Sequence, residues 1–163
     1  FLRGRYRKLS RECSQTPWTL RGTDERRTDG SVEEFIKAPV IEIFGVRGEC
    51  RFSSAGREDV DVRMLGSGRP FLLELVDCLH GSITAASGFG DLPKLVKSRS
   101  GGIVEVQDLE ICDRTASEKL VEGAEKHQKH YLCVIWVKKS VTKEDIANLN
   151  AVRELSIHQR KSQ

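Results

Sequence analysis

The residues best suited to chemistry in this 163-residue chain lie together in the segment Arg57–Arg63. It reads Arg-Glu-Asp-Val-Asp-Val-Arg and sets three carboxylates between two guanidinium groups. Because side chains alternate in an extended backbone, one face of the segment would hold Arg57, Asp59, Asp61 and Arg63. A carboxylate with an opposite charge within about 4–6 Å stays ionised, which suits a nucleophile or an electrostatic stabiliser better than a general acid. A surface strand with paired charges accounts for the same residues equally well.

The segment Gly66–Pro70 could be mistaken for a phosphate-binding loop. It lacks the Gly-Lys-Ser/Thr ending of such loops and precedes a strand-forming run instead of a helix. We therefore predict a tight turn. Its glycines would let a nucleic-acid backbone approach closely and Arg69 could reach a phosphate, although a purely structural turn fits the composition better.

His127, His130 and Cys133 form the one cluster of metal-ligand residue types in the sequence. The cluster has no second half such as C-x-x-C and crosses a predicted helix-to-strand junction, so we predict no metal site. In the strand predicted here, Tyr131 and Trp136 point to opposite faces, so only one of them can line a given pocket. A place in the core explains either aromatic residue as well.

Residues 1–30 are basic and rich in turn formers, and we expect an extended arm with one short strand. Within this arm, Gly4–Arg11 interleaves the aromatic ring of Tyr6 with the cations Arg5, Arg7, Lys8 and Arg11. Such a pattern suits RNA, whose phosphates attract cations and whose bases stack on aromatic rings. A solvated basic arm has the same composition.

The elements that must position these residues follow from capping and periodicity. Ser31–Glu34 has capping-box spacing, which predicts a short helix that begins at Ser31 and ends before Pro39. Apolar and strand-forming runs predict strands at 40–46, 49–52, 71–76, 103–111, 131–137 and 155–159. Helical spacing predicts further helices at 92–97, 117–126 and 142–150. This order indicates an α+β fold, in which helices flank a mixed, largely antiparallel sheet.

Composition limits the remaining possibilities. A chain of 18.3 kDa suits one domain, and no apolar run approaches the roughly 20 residues that a membrane span needs. Five cysteines without close pairs favour a reducing intracellular compartment, with cytoplasm and nucleus equally open. The net charge of +3 conceals a basic N-terminal part, for which an anionic partner is the natural expectation.

Three stretches together point to a known family: Gly4–Arg11, then Gln15–Trp18, then Gly56–Gly66 with Gly68–Phe71. On these motifs the chain resembles the pseudouridine synthases of archaea and eukaryotes that carry a THUMP domain and modify the tRNA T-arm, the Pus-ten family. The resemblance covers nearly the whole chain and is weakest over residues 79–100. It implies the catalytic-domain fold of a pseudouridine synthase.

The resemblance also implies an activity, the isomerisation of uridine to pseudouridine in tRNA, with position 55 of the T-arm as the expected target and position 54 as a second candidate. The reaction needs no metal, redox cofactor or energy source. The family's essential aspartate lies in an Arg-x-Asp motif, which makes Asp59 the expected nucleophile and Asp61 a distant second candidate. The carboxylate either attacks the ribose C1′ or assists cleavage through a glycal, after which the base rotates and rejoins through C5.

Contacts with tRNA follow from the same resemblance. Tyr131 matches the tyrosine that packs on the target base. Arg57 and Arg63 would keep Asp59 ionised, and the residues expected to hold phosphates are Arg5, Arg7, Arg11 and Arg69. The chain opens at Phe1 and has no room for the THUMP-containing part or for the C-terminal end that supplies a basic partner of the aspartate. We therefore expect an incomplete catalytic domain that binds RNA weakly and is inactive alone.

Two other functions compete with this one. A catalytically inactive RNA-binding module of the same fold would tolerate Asp59 on an exposed surface, whereas an enzyme needs it at the base of a basic cleft facing Tyr131. A metal-dependent RNA-processing protein would need ligands drawn from Asp59, Asp61 and histidines, and this is the least expected function.

Overall fold

A computed structural model describes residues 1–20, 22–81, 89–115 and 130–156. The chain divides into two compact units, Phe1–His127 and Gln128–Gln163. Among the described residues, no helix is long and apolar enough to cross a membrane.

The first unit is built on a four-stranded sheet in the order β2-β3-β1-β4. The strands are β1 Leu2–Lys8, β2 Cys50–Ser54, β3 Met64–Leu75 and β4 Val104–Ile111. Each neighbouring pair is antiparallel. The α+β class is confirmed, and in the described part of the chain the sheet is antiparallel throughout.

The strand β1 lies at the centre of this sheet, between β3 and β4. Its even-numbered residues face the core, and Leu2, Tyr6 and Lys8 have no exposed surface. The short strand expected near the N terminus is therefore present, but it is not part of an arm. The expectation that Tyr6 stacks on a base is wrong, because its ring is enclosed by core side chains and packs near Phe52 and Phe71.

Helix α1, Val32–Phe44, begins where the sequence predicted and ends later. Ser31 is its N-cap and accepts a hydrogen bond from the Glu34 amide. The predicted end before Pro39 and the predicted strand at 40–46 are both wrong. The buried residues Val32, Ile36, Pro39, Val40 and Phe44 form one helical stripe, so packing against the core outweighs the strand propensity of the β-branched residues. Gly45 ends the helix in the left-handed conformation, with φ 59°.

The predicted turn at Gly66–Pro70 is instead part of β3. Pairing with β1 shifts in register between Tyr6, which lies opposite Arg69, and Lys8, which lies opposite Met64. The extra residues of β3 bulge outward here, and Gly66 and Gly68 have positive φ angles of 63° and 75°. Beyond the bulge, the predicted buried strand is confirmed by Phe71, Leu72 and Leu73.

In the described part of the first unit, two helices contribute to the core on one face of the sheet. Helix α2, Leu92–Arg99, was predicted, and it contacts both β4 and α1. Its residues Leu92 and Val96 are fully buried with Ile36 and Val40 of α1. The strand predicted at 103–111 is confirmed as β4.

The second unit contains helix α3, Lys143–Ala151, which confirms the prediction at 142–150. Thr142 and Asp145 form a reciprocal capping box at its start. The strand predicted at 131–137 is wrong. Among the described residues it has no partner strand, and Leu132 and Trp136 are 95% and 97% exposed. The helix predicted at 117–126 and most of the strand predicted at 155–159 lie outside the described residues.

The bulge of β3 yields a stability prediction. A Cβ at Gly68 would lie 2.5 Å from the Tyr6 carbonyl oxygen, whereas one at Gly66 would meet nothing within 4 Å. Left-handed backbone strain alone should make Gly66→Ala destabilising by about 1–2 kcal/mol. Gly68→Ala adds a clash with backbone and should destabilise by about 3 kcal/mol or more. Urea unfolding of the two variants measures the difference, and equal losses would contradict the close packing of Gly68 on β1.

Candidate functional site

The segment Arg57–Arg63 joins β2 to β3 and turns at Val60 and Asp61, where the Val62 amide donates to the Asp59 carbonyl at 3.1 Å. Exposure alternates along this segment as predicted. Glu58 is buried, and the four charged residues that the sequence placed on the opposite face are exposed, namely Arg57, Asp59, Asp61 and Arg63. The backbone is turned and not extended, so the shared face is the outer side of a loop. We refer to residues 57–63 as the acidic loop.

Glu58 points from the acidic loop into the core. Its two carboxylate oxygens lie 2.9 and 3.0 Å from the Tyr6 hydroxyl, which donates to them. Arg69 Nε donates to the same carboxylate at 2.7 Å, and the side chains of Glu58 and Arg69 are only 3% and 13% exposed. A buried carboxylate is tolerated when such partners satisfy it.

Gln15 and Arg69 extend this contact to the backbone that enters the acidic loop. The Gln15 amide nitrogen donates to the Tyr6 hydroxyl at 2.8 Å and to the Gly56 carbonyl at 2.9 Å. Arg69 Nη1 donates to the Ala55 carbonyl at 2.6 Å. We call the side chains of Tyr6, Gln15, Glu58 and Arg69 the Glu58 clamp.

Lys8 holds the next part of the loop. Its ammonium group is buried and donates to three carbonyl oxygens, those of Cys13 at 2.8 Å, Asp59 at 2.8 Å and Val60 at 3.0 Å. Burial lowers the pKa of Lys8, while nearby acidic groups, Glu58 first among them, oppose that shift. All three ammonium protons thus have partners, and two of them fix the main chain at Asp59 and Val60.

The Asp59 side chain projects from this fixed backbone and is exposed. In the parts of the chain that the structure describes, it has no hydrogen bond or ion pair, and the same is true of Arg57, Asp61 and Arg63. Neither arginine makes an ion pair with Asp59 among the described residues, and Glu58 makes the loop's ion pair instead. The expectation that Arg57 and Arg63 keep Asp59 ionised stays a prediction. This exposed carboxylate is available to an incoming ligand, although exposure is also what a catalytically inactive binding module tolerates. The basic cleft facing Tyr131 that an enzyme needs stays a prediction.

The arginines expected to hold phosphates differ in what they already contact. Arg5 donates to the Ser67 and Gly68 carbonyls at 2.7 Å each and so holds the bulge of β3. Arg7 pairs with Glu105, and Arg69 belongs to the Glu58 clamp. Arg11 is exposed and has no partner among the described residues. A phosphate contact stays a prediction for these residues, and it is best supported for Arg11.

Tyr131 lies in the second unit and is 78% exposed. Its expected place opposite Asp59 stays a prediction. Cys133 is an exposed free thiol, and His127 lies outside the described residues. Within the described residues, no group of three or more His, Cys, Asp or Glu side chains could hold a metal ion.

Sequence reasoning missed the inward half of the site. Lys8 was assigned to a basic arm, and Glu58 received no role of its own. The alternation of Leu2, Gly4, Tyr6 and Lys8 with three arginines is the signal that could have revealed a strand with one buried face. The lysine at position 8 made this pattern hard to recognise as a buried face, since lysine is rarely fully buried.

The first unit is therefore an α+β domain that presents a carboxylate on a fixed loop. The chain matches the family described as "Pus10, C-terminal" over residues 1–163. It is 41% identical over 160 residues to the tRNA pseudouridine synthase Pus10 of Homo sapiens, covering 98% of this chain and 29% of that protein. The tRNA pseudouridine synthase Pus10 of Methanothermobacter marburgensis is 39% identical over 162 residues, and the match covers 91% of this chain and 38% of that protein. The chain belongs to the Pus10 C-terminal family and spans about a third of the length of these relatives.

The buried groups around the site predict how stability depends on pH. Burial raises the pKa of the Cys13 and Cys50 thiols from 9.0 to about 11, and burial beside Glu58 raises the pKa of Tyr6 well above 10.0. As the pH rises from about 9 to 11, the unfolded chain loses protons that the folded chain retains. The contribution of each buried thiol to the free energy of unfolding, fully present below about pH 9, should therefore fall across this range by about 2–3 kcal/mol. Lys8 acts in the opposite direction, because burial lowers its pKa and the unfolded chain retains that proton longer.

Urea unfolding between pH 8 and pH 11 measures this fall. Cys50→Ala removes one of the raised thiols and should make the decline shallower, even though it lowers stability at pH 8. An equal slope in the variant and the parent chain would contradict the assignment to buried thiols.

Proposed function

We propose that this chain is the part of a tRNA pseudouridine synthase that carries the essential aspartate, and that Asp59 is this residue. The human and Methanothermobacter relatives are each named tRNA pseudouridine synthase Pus10, as is the protein from Thermofilum pendens, which is 38% identical over 153 residues. The proposed substrate is tRNA, with uridine 55 of the T-arm as the first candidate target and uridine 54 as the second.

One observation carries the assignment of Asp59. Its carbonyl oxygen is held by a buried ammonium group while its carboxylate is exposed and has no partner among the described residues. A nucleophile must be both accessible and fixed in place, because misplacement by about 1 Å can cost about 10²-fold in rate. Asp61 is also exposed, but its carbonyl accepts no hydrogen bond from the Lys8 ammonium group.

The isomerisation balances without an oxidant, a reductant or a metal. The bond between N1 and C1′ of the uridine breaks, the base rotates, and a bond from C5 to C1′ forms. The proton lost from C5 is matched by a proton gained at N1. In one route the Asp59 carboxylate bonds to C1′ as the base leaves and is displaced when C5 attacks. In the other it assists formation of a glycal.

A uridine inside folded tRNA must leave its stack to reach Asp59, which costs a few kcal/mol. Stacking on the exposed Tyr131 would offset this cost, as would contacts between phosphates and cations outside the Glu58 clamp. Arg11, Arg57 and Arg63 are exposed and suited to that role. The five free cysteines suit a reducing intracellular site, the cytoplasm or the nucleus.

Asp59→Asn tests the proposal in the full-length protein incubated with an unmodified tRNA transcript. Loss of the carboxylate should reduce pseudouridine formation by about 10³-fold or more, since a missing nucleophile removes the catalytic unit. Asp61→Asn is the matched control, because Asp61 lies two residues away and is also exposed, and it should retain activity within about tenfold. Chemical mapping of pseudouridine measures both variants and identifies the target uridine.

Other outcomes have distinct meanings. Loss of activity in Asp61→Asn alone would move the nucleophile to Asp61. No pseudouridine from the unmodified full-length protein, together with retained tRNA binding, would indicate a catalytically inactive RNA-binding module.

A further inference from the structure

We propose that Glu58 is a positioning residue for Asp59, acting through the Glu58 clamp, and that Arg69 serves the clamp instead of contacting RNA. The inference rests on the proposed function, since it assigns a role in the same reaction. It assigns roles to Glu58 and Arg69, whose charged side chains lie on the inner side of the acidic loop.

The geometry fixes Glu58 from several directions. Its carboxylate accepts hydrogen bonds from the Tyr6 hydroxyl on β1 and from Arg69 Nε on β3, so two neighbouring strands of the sheet hold it. Only 3% of the Glu58 side chain is exposed. Glu58 is buried and Asp59 is exposed, so these neighbouring side chains point to opposite sides of the loop. Because their Cα atoms are only about 3.8 Å apart, holding Glu58 also fixes the point from which the Asp59 side chain projects.

The clamp also fixes the chain that enters the loop. Arg69 Nη1 donates to the Ala55 carbonyl and Gln15 donates to the Gly56 carbonyl. A Cβ at Gly56 would lie 2.6 Å from Arg69 Nη1, so the guanidinium group packs directly on this backbone. With Lys8 on the Asp59 and Val60 carbonyls, most of the main chain from residue 55 to residue 60 is held by side chains of the core.

Stability alone does not account for a buried ion pair. Apolar side chains of similar volume are often as stabilising, because removing two charges from water offsets much of their attraction. An ion pair with several directed hydrogen bonds fixes a geometry, which apolar packing does less strictly. The residue that follows Glu58 is the proposed nucleophile, where fixed geometry matters most.

The test uses Glu58→Gln, Tyr6→Phe and Arg69→Met in the full-length protein, with kcat and KM measured on tRNA. We expect kcat to fall by about 10- to 100-fold, as for a misplaced reacting group, while KM stays within about twofold. Because the clamp acts as a unit, the double variant Tyr6→Phe/Glu58→Gln should be no slower than the slower single variant.

Val96→Ala is the control for general destabilisation, since this fully buried residue lies on α2 outside the clamp. It should lower the unfolding temperature and leave kcat within about twofold at temperatures where it is folded. Hydrogen exchange adds a readout that needs no activity. The Val62 amide, bonded to the Asp59 carbonyl, should exchange faster in Glu58→Gln but not in Val96→Ala.

Three results would overturn the inference. A raised KM with unchanged kcat in Arg69→Met would mean that Arg69 binds tRNA. A kcat loss no greater than that of Val96→Ala would make the clamp merely structural, and so would an unchanged Val62 exchange rate. If Glu58→Gln fails to fold, Tyr6→Phe decides, because it leaves the ion pair intact. Absence of pseudouridine with the parent protein would refute the proposed function, whereas the exchange rates would still decide whether the clamp positions the loop.

Discussion

The burial of the Glu58 carboxylate is the constraint on which the rest of the first unit depends. A charge in the core needs a counter-charge and directed donors, and here they come from Arg69 and Tyr6. Those two residues lie opposite each other on β3 and β1, so the clamp requires these strands to be neighbours in this register. The bulge of β3 begins directly beyond that pair, where the pairing shifts from Tyr6 to Lys8.

The two faces of β1 divide the charges of the chain. Inward residues serve the core and the acidic loop, whereas Arg3 and Arg7 on the outward side pair with Glu110 and Glu105 of β4. Arg5, also outward, donates to the bulge of β3. Much of the basic character of the N terminus is therefore used within the fold. The cations left for an anionic partner lie in and near the loops, as Arg11 and Arg57 do.

Sequence patterns predicted the features that depend on neighbours along the chain. The caps Ser31 and Thr142 are local hydrogen bonds, so their helices begin where expected. Features that depend on distant residues were harder to predict. Pro39 does not end α1, because burial of Val40 and Phe44 on the same stripe favours the helix. The apolar run 131–137 has strong strand propensity, yet a strand also needs a partner, and the described residues provide none.

The candidate site shows the same division at the scale of two adjacent residues. Alternation along the chain predicted that Asp59 would be exposed, and it is. It could not predict that Glu58 would bind Tyr6 and Arg69, which lie 52 and 11 residues away along the chain and on two different strands. The carboxylates of the adjacent residues Glu58 and Asp59 thus lie in opposite environments, one buried and one exposed. The buried one has its acceptor capacity taken up by the fold, and this leaves the exposed one as the carboxylate that the loop can offer to a substrate.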